Sequence, residues 1–171
     1  MWALVESGSI SEVYNKPKQL KIGDIQYPSN IHSLWSATEL KAIGVYEVVQ
    51  DDTNYKNPEY YTNTDQTFTF ASNQVKATYG TATAKPLNDT TTDGVVTRGL
   101  KYEHCFVIDN QAYSLLEPND WMVVRNAESS KAIPSDWLDY RVAVRTAASD
   151  MKTKINAVSD VDALAALYVY N

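Results

Sequence analysis

The longest regular pattern in this 171-residue chain lies near its end and predicts a long helix. Apolar side chains, with one arginine among them, recur there at alternating steps of four and three residues. That spacing is typical of a helix packed lengthwise against another helix. The stripe consists of Trp137, Arg141, Val144, Ala148, Met151, Ile155 and Val158. A second stripe consists of Cys105, Ile108, Ala112 and Leu115. The two stripes predict a helical hairpin or small bundle, with intermolecular packing as a less favoured alternative.

The connection between these helices contains one local pattern twice. Pro118 and Pro134 are each followed by a small polar residue, an Asp, a Trp and, four residues after the Trp, an Arg. Proline does not continue a helix, Asn or Ser can cap one, and Asp in the first turn complements the helix dipole. The pattern therefore predicts two helix starts and a hinge. Ser159 is expected to cap a last short helix, with Val161, Leu164 and Leu167 facing inward.

The candidate functional residues lie in this doubled segment. They are of the types that dominate protein binding sites, namely tryptophan, tyrosine and arginine. The set consists of Trp121, Arg125, Trp137, Tyr140, Arg141 and Arg145. An arginine at the packing position 141 needs a carboxylate or carbonyl partner, for which Glu117 and Glu128 are the candidates. The set either clamps the helices together or binds a partner, and Trp137 is expected to be a core residue.

The first half of the chain has the composition of strands and turns, rich in Tyr, Thr, Val and Ile. Alternating runs predict a hairpin at the N-terminus and a strand pair around a Gly-Asp turn at 23–24. Ser36 and Glu39 have the spacing of a capping box and predict a short helix that ends at Gly44.

A separate antiparallel ribbon is predicted at about 60–84. Phe68 and Phe70 lie on one face of its first strand, and Val75 and Ala77 lie on one face of its second. We expect this Thr-rich ribbon to protrude, either as a solvated hairpin or as an edge that pairs with another chain.

The expected fold class is therefore α+β with segregated halves. A β-rich domain spans 1–84, a polar linker spans 85–97, and a helical domain spans 98–171.

Bulk properties argue against several classes of function. The net charge of -6 disfavours binding to nucleic acid or to an anionic membrane. No apolar run is long enough for a membrane span, and the N-terminus lacks the regions of a secretion signal, so we expect neither. Cys105 is the only cysteine and is expected to be a buried apolar thiol, while His32 and His104 lack partners at metal-ligand spacing. With no nucleophile elbow and no phosphate loop, we predict a protein without enzymatic activity, cofactor or metal.

Two stretches carry a resemblance to phage proteins. Residues 1–12, which read MWALVESGSISE, resemble the start of bacteriophage tail fibre assembly proteins. The segment with Asp120-Trp121, Arg125, Pro134 and Tyr140-Arg141 is similar to the helical part of the same group. Residues 21–28 and 34–44 are also similar to virion-associated proteins of marine tailed phages.

This resemblance implies a non-enzymatic protein that binds a phage tail or tail-fibre component, as an assembly chaperone or connector. The alternative is a permanent structural subunit of the virion. The implied partners are a tail or tail-fibre protein and, as a further possibility, other copies of this chain. The implied location is the virion, or the host cytoplasm during phage assembly.

Overall fold

Strands and helices occupy different parts of the chain in the computed structural model, which describes residues 1–168. The chain divides into a unit spanning Met1–Thr83 and a second unit that begins at Ala84. The first is built mainly from strands and the second mainly from helices. The predicted α+β class, with a β-rich N-terminal part and a helical C-terminal part, is confirmed.

The first unit contains short strands and two short helices. The strands are β1 (Trp2–Glu6), β2 (Ser9–Tyr14), β3 (Leu20–Ile22), β4 (Ile25–Tyr27), β5 (Val45–Asp51), β6 (Tyr61–Thr62), β7 (Gln66–Ala71), β8 (Gln74–Tyr79) and β9 (Thr83–Ala84), the last of which crosses the unit boundary. The helices are α1 (Ile31–Leu34) and α2 (Ala37–Ala42).

A five-stranded sheet in the order β2-β1-β5-β8-β7 is the centre of this unit. Its two edge strands, β2 and β7, come into contact because the sheet curls. One face holds a cluster formed by Ala3, Tyr46, Val48, Val75 and Ala77. The other face packs against α1, α2 and β3 through Leu4, Tyr14, Leu20, Ile31, Leu40 and Val45. The unit thus buries an apolar layer on each side of one sheet.

The local predictions for this unit are largely confirmed. β1 and β2 form the expected hairpin, which runs from Trp2 opposite Tyr14 to Glu6 opposite Ser9 with a one-residue register shift between Leu4 and Val5. β3 and β4 pair on either side of the turn at 23–24. The capping box is present, since the N–H of Ser36 donates to the carboxylate of Glu39 and the N–H of Glu39 donates to the Ser36 hydroxyl. Helix α1 was not predicted, and it has no side-chain cap.

The ribbon is an antiparallel hairpin as predicted, but the expectation that it protrudes is wrong. β8 pairs in parallel with β5, Val48 lying opposite Val75, and so becomes an interior strand of the sheet. Val75 and Ala77 are fully buried, and this burial of apolar surface stabilises the docked ribbon. The Thr-rich end of the ribbon is not a free arm either, because β9 pairs with β6.

The second unit contains a strand pair followed by helices. Its elements are β10 (Thr90–Thr92), β11 (Val95–Thr97), α3 (Leu100–Leu116), a 3-10 turn (Glu117–Asn119), α4 (Asp120–Ser129), α5 (Ser135–Ala157) and α6 (Val161–Ala166). α3 packs along α5. The two helices run antiparallel, because Lys101 contacts the carbonyl of Asn156 at one end and Arg141 contacts that of Leu116 at the other.

Residues 85–97 are ordered around the start of α3 and do not form the simple polar linker that we expected. β10 and β11 form an exposed hairpin within this range. The carbonyls of Pro86 and Leu87 accept hydrogen bonds from the first N–H groups of α3, those of Leu100 and Lys101. The carboxylate of Asp89 accepts one from the N–H of Gly99. The segment therefore caps α3, because these donors have no partner inside the helix.

All seven positions of the predicted stripe are buried or half-buried, and six of them lie on α5; Val158 follows the last helical residue and has an extended backbone. On α3, Cys105, Ile108 and Ala112 are half-buried as predicted. The prediction that Leu115 packs inward is wrong, because its side chain is 51% exposed. Leu116 is the half-buried residue at that end of the helix.

Both helix starts of the doubled pattern are present, but the predicted caps are not. α4 begins at Asp120 and α5 at Ser135, and neither helix has a side-chain hydrogen bond to its first turn. Pro134 occupies the capping position of α5 and fixes the backbone there. The cap of α6 is Asp160 and not Ser159, since the Asp160 carboxylate accepts the N–H of Ala163.

Candidate interaction surface of the helical unit

Arg141 is the central residue of the predicted set. Its side chain is only 4% exposed. One terminal nitrogen donates to the carbonyl of Leu116 across 3.1 Å, and the other donates to the carboxylate of Asp120 across 2.6 Å. The expected partners Glu117 and Glu128 are wrong, although a carboxylate and a carbonyl are both present.

The two acceptors explain what this arginine does. Leu116 is the last residue of α3, so its carbonyl has no partner within that helix. Asp120 is the first residue of α4. Arg141 therefore joins α5 to the point where α3 turns into α4 and so clamps the helices, one of the two roles that the sequence left open for it. A buried guanidinium needs such partners because desolvating an unpaired charge is costly.

Trp121 and Arg125 form a second feature on α4. The guanidinium carbon of Arg125 lies 4.8 Å from the centroid of the Trp121 ring, in the position of a cation–π contact. The Trp121 side chain is 54% exposed. The Nε of Arg125 is buried and has no hydrogen-bond partner within residues 1–168. The two side chains therefore contact each other while much of the Trp121 ring faces outward.

α4 presents more apolar surface than Trp121 alone. No residue of this ten-residue helix is fully buried. Val123 and Val124 are both exposed, and the Val124 side chain is 56% accessible. Trp121, Val124, Arg125 and Glu128 follow the three- and four-residue spacing of one helical face. This outer α4 face combines two apolar side chains, a cation and an anion.

Of the remaining predicted residues, one packs between the helices and the others are exposed. Trp137 is half-buried on the α5 stripe, and its ring meets that of Tyr140 edge-on at 5.8 Å. Tyr140 is exposed at the margin of a hollow that also contains Pro118. Arg145 is exposed and makes no hydrogen bond or ion pair with residues 1–168. The structure thus assembles Arg141 with Asp120 and Trp121 with Arg125, but leaves Arg145 outside.

An apolar groove between α3 and α5 was not predicted. It has a volume of about 420 Å³ and is lined by Ile108, Gln111, Ala112, Leu115, Tyr140, Ala143, Val144, Ala147, Ala148 and Met151. No lining residue carries a charge. A stripe beside the packing stripe of α5 could have revealed it, since Tyr140, Ala143 and Ala147 repeat at helical spacing without a charge.

Titratable groups of the helical unit serve packing and capping. Burial raises the pKa of the half-buried Cys105 thiol and so favours its protonated form. Hydrogen bonds from the Gly99 N–H and Arg98 hold the pKa of Asp89 below its usual range. Residues 1–168 contain no group of three His, Cys, Asp or Glu placed to hold a metal ion. None of the helices among these residues has the length and hydropathy of a membrane span.

Comparisons with known proteins give no relative. No family model, no curated protein and no solved structure matches the chain.

Proposed function

We propose that this chain is a non-enzymatic bacteriophage protein that binds a tail or tail-fibre component, as an assembly chaperone or a connector. The phage assignment is supported by the sequence resemblance of residues 1–12 and of the doubled Pro-x-Asp-Trp segment. The mode of action is supported by the outer α4 face.

The observation that carries the proposal is that α4 is anchored at its first residue and yet exposes apolar side chains. An isolated helix of ten residues is marginal in water, because nucleation is costly and few hydrogen bonds follow. α4 has little packing of its own and is held by the Arg141 clamp at its first residue. A short helix that is anchored at one end and exposes Trp121 and Val124 is well suited to complete its packing against a partner.

Residue chemistry indicates what kind of partner fits. Trp and Arg are enriched among the residues that dominate protein interfaces, and each can contribute about 2 kcal/mol or more when covered. The cation–π contact restricts both side chains, which lowers the entropy lost on binding. The partner we expect is a protein with an apolar pocket and a carboxylate at its margin to meet Arg125.

Permanent incorporation into the virion is the second candidate, and the β10–β11 hairpin favours it. Every residue of the two strands is exposed, and the Val95 side chain is 67% accessible. Within residues 1–168 the outer edges of this pair meet no further strand. An exposed apolar edge of this kind can add to a sheet of a neighbouring subunit.

Mass spectrometry of purified particles separates the two candidates. A stoichiometric signal supports the permanent subunit, whereas absence from particles together with binding to a fibre or tail protein supports the chaperone. Absence from particles and no binding to any tail or fibre protein of the same phage would contradict both.

A matched pair of variants tests the binding surface. Trp121→Ala is expected to weaken partner binding about 30-fold, the equivalent of a 2 kcal/mol hot spot. Leu34→Ala removes an apolar side chain that is 72% exposed in the other unit and is expected to leave binding unchanged. Titration calorimetry with the captured partner measures both. Equal effects of the two variants would exclude the outer α4 face as the site.

A further inference from the structure

In the helical unit, more large hydrophobic side chains are exposed than are fully buried. Among its described residues, four large hydrophobic side chains are buried and thirteen are exposed. Large exposed apolar patches on a soluble protein mark surfaces that another molecule covers. A unit of this size with so small a core commonly depends on association for its stability. The outer α4 face accounts for only part of this surface.

We propose that the groove face of the helical unit, formed by α3 and α5, pairs with the same face of a second copy. The product is a two-fold arrangement of four helices. This inference does not depend on the proposed function, because the groove face is distinct from the outer α4 face and no phage component is required.

The absence of charge favours a second copy as the occupant. The groove lining of α3 contributes Ile108, Gln111, Ala112 and Leu115, and that of α5 contributes only Tyr, Ala, Val and Met residues. The adjoining hollow on α3, which includes Val107 and Ser114, is also uncharged. A chain with a net charge of -6 repels its own copies over most surfaces, so an uncharged face is the place where two copies can approach.

The shape of the face fits a two-fold axis that crosses the helices near their middle. Small residues, Ala143 and Ala147, occupy the centre of the α5 side, while larger residues, Tyr140 and Met151, lie towards the ends. Rotation about such an axis places Tyr140 of one copy near Met151 of the other. Alanines at the crossing allow close helix contact, as in packed bundles.

The available area approaches the size of a standard dimer interface. α3 has 17 residues and is about 25 Å long, and two helices side by side are about 18–20 Å wide. The footprint is therefore roughly 500 Å². Because side chains expose more surface than the footprint they cover, this approaches the ~800 Å² that each partner buries in a standard interface.

A pair of charge variants on the full chain tests the inference by sedimentation velocity. The wild type is expected to have twice the mass of the 19.2 kDa chain at micromolar concentration. Ala147→Glu places like charges together at the two-fold axis and is expected to raise the dissociation constant at least about 100-fold. Ser149→Glu adds the same charge on the same helix, at an exposed position outside the groove lining, and is expected to leave the dimer intact.

A thiol experiment covers the case in which the charged variant fails to fold. In a Cys105→Ser background, Ala147→Cys places the only thiol of each copy near the axis, and oxidation is expected to give a disulfide-linked dimer. Ser149→Cys in the same background is expected to remain uncrosslinked. Crosslinking at 149 but not at 147 overturns the proposal.

Two further outcomes also overturn it. One is a monomeric wild type. The other is a dimer whose dissociation constant is the same in the Ala147→Glu and Ser149→Glu variants. A wild type that is monomeric alone but forms a one-to-one complex with a fibre protein overturns self-pairing and leaves the proposed function standing. A dimer that forms through the groove but binds no tail or fibre protein supports self-pairing and contradicts the proposed function.

Discussion

The guanidinium of Arg141 is buried between two helix ends and donates to the carboxylate of Asp120 across 2.6 Å. Asp120 itself is about half exposed, so solvent screens the Coulomb attraction of the pair. The contribution of Asp120 therefore comes mainly from satisfying a buried donor. The same guanidinium also satisfies the terminal carbonyl of α3 at Leu116, so one side chain fixes the α3 to α4 turn against α5.

Asp120→Ala is expected to lower the free energy of unfolding by about 1–2 kcal/mol, since it leaves one buried N–H group of Arg141 without an acceptor. Glu117→Ala, the matched control three residues earlier, is expected to change it by less than about 0.5 kcal/mol. Urea denaturation followed by circular dichroism measures both. An effect of Glu117→Ala equal to that of Asp120→Ala would contradict the assignment of Asp120 as the partner.

Gly99→Ala is expected to lower stability by about 3 kcal/mol, because a Cβ there would lie 2.3 Å from the carbonyl carbon of Asn88. The backbone at Gly99 has φ −94° and ψ 169°, which alanine adopts without strain, so the effect isolates the steric clash. Gly94→Ala is the control: it has φ +78° and open space, and is expected to cost about 1 kcal/mol. Thermal unfolding of the two variants ranks them. A smaller loss for Gly99→Ala would show that the cap of α3 can move away from the helix.

Acid sensitivity is expected at Asp51, which links β5 to β8 through Lys76. Hydrogen bonds from Lys76 and Thr53 hold the pKa of this carboxyl well below its usual range. The folded state therefore gains stability from ionised Asp51 above the unfolded pKa of about 3.9, and loses it as pH falls through the lower folded pKa. Asp51→Asn is expected to reduce stability at neutral pH and to flatten the decline below about pH 4. Urea denaturation at a series of pH values measures this effect, and Asp52→Asn is the control variant. An unchanged acid limb for Asp51→Asn would show that the ion pair does not form.

Most of the helices and hairpins were predictable because their signals are local. The α5 stripe repeats every three or four residues, and burial follows it at each of its seven positions. The β7–β8 hairpin is likewise encoded by alternation on each side of Ser72-Asn73, a two-residue turn in which both backbones are left-handed.

Contacts between distant residues were not predictable from the same patterns. Parallel pairing brings together Val48 and Val75, which are 27 positions apart, and the sequence of neither strand indicates which strand it will pair with. The capping of Gly99 by Asp89 depends on how residues 85–97 fold back. For Arg141, the type of partner was predictable but its identity was not, because Glu117 begins the 3-10 turn and Asp120 directly follows it, only three residues later.

The two tryptophans of the doubled pattern are expected to respond differently to truncation. Trp137 is half-buried on the α5 stripe beside Tyr140, so Trp137→Ala removes packing and is expected to cost about 2 kcal/mol, less than for a fully buried Trp. Trp121 is mostly exposed and contacts Arg125, so Trp121→Ala is expected to cost no more than about 1 kcal/mol, the magnitude of an exposed cation–π contact.

Urea denaturation midpoints at one fixed protein concentration compare these two variants, since self-association makes stability depend on concentration. A loss for Trp121→Ala as large as for Trp137→Ala would show that Trp121 is a packing residue of the free protein. The outer α4 face would then be part of the core and not a binding surface. A large loss confined to Trp137→Ala assigns packing to one copy of the repeated pattern and leaves the other copy for contact with a partner.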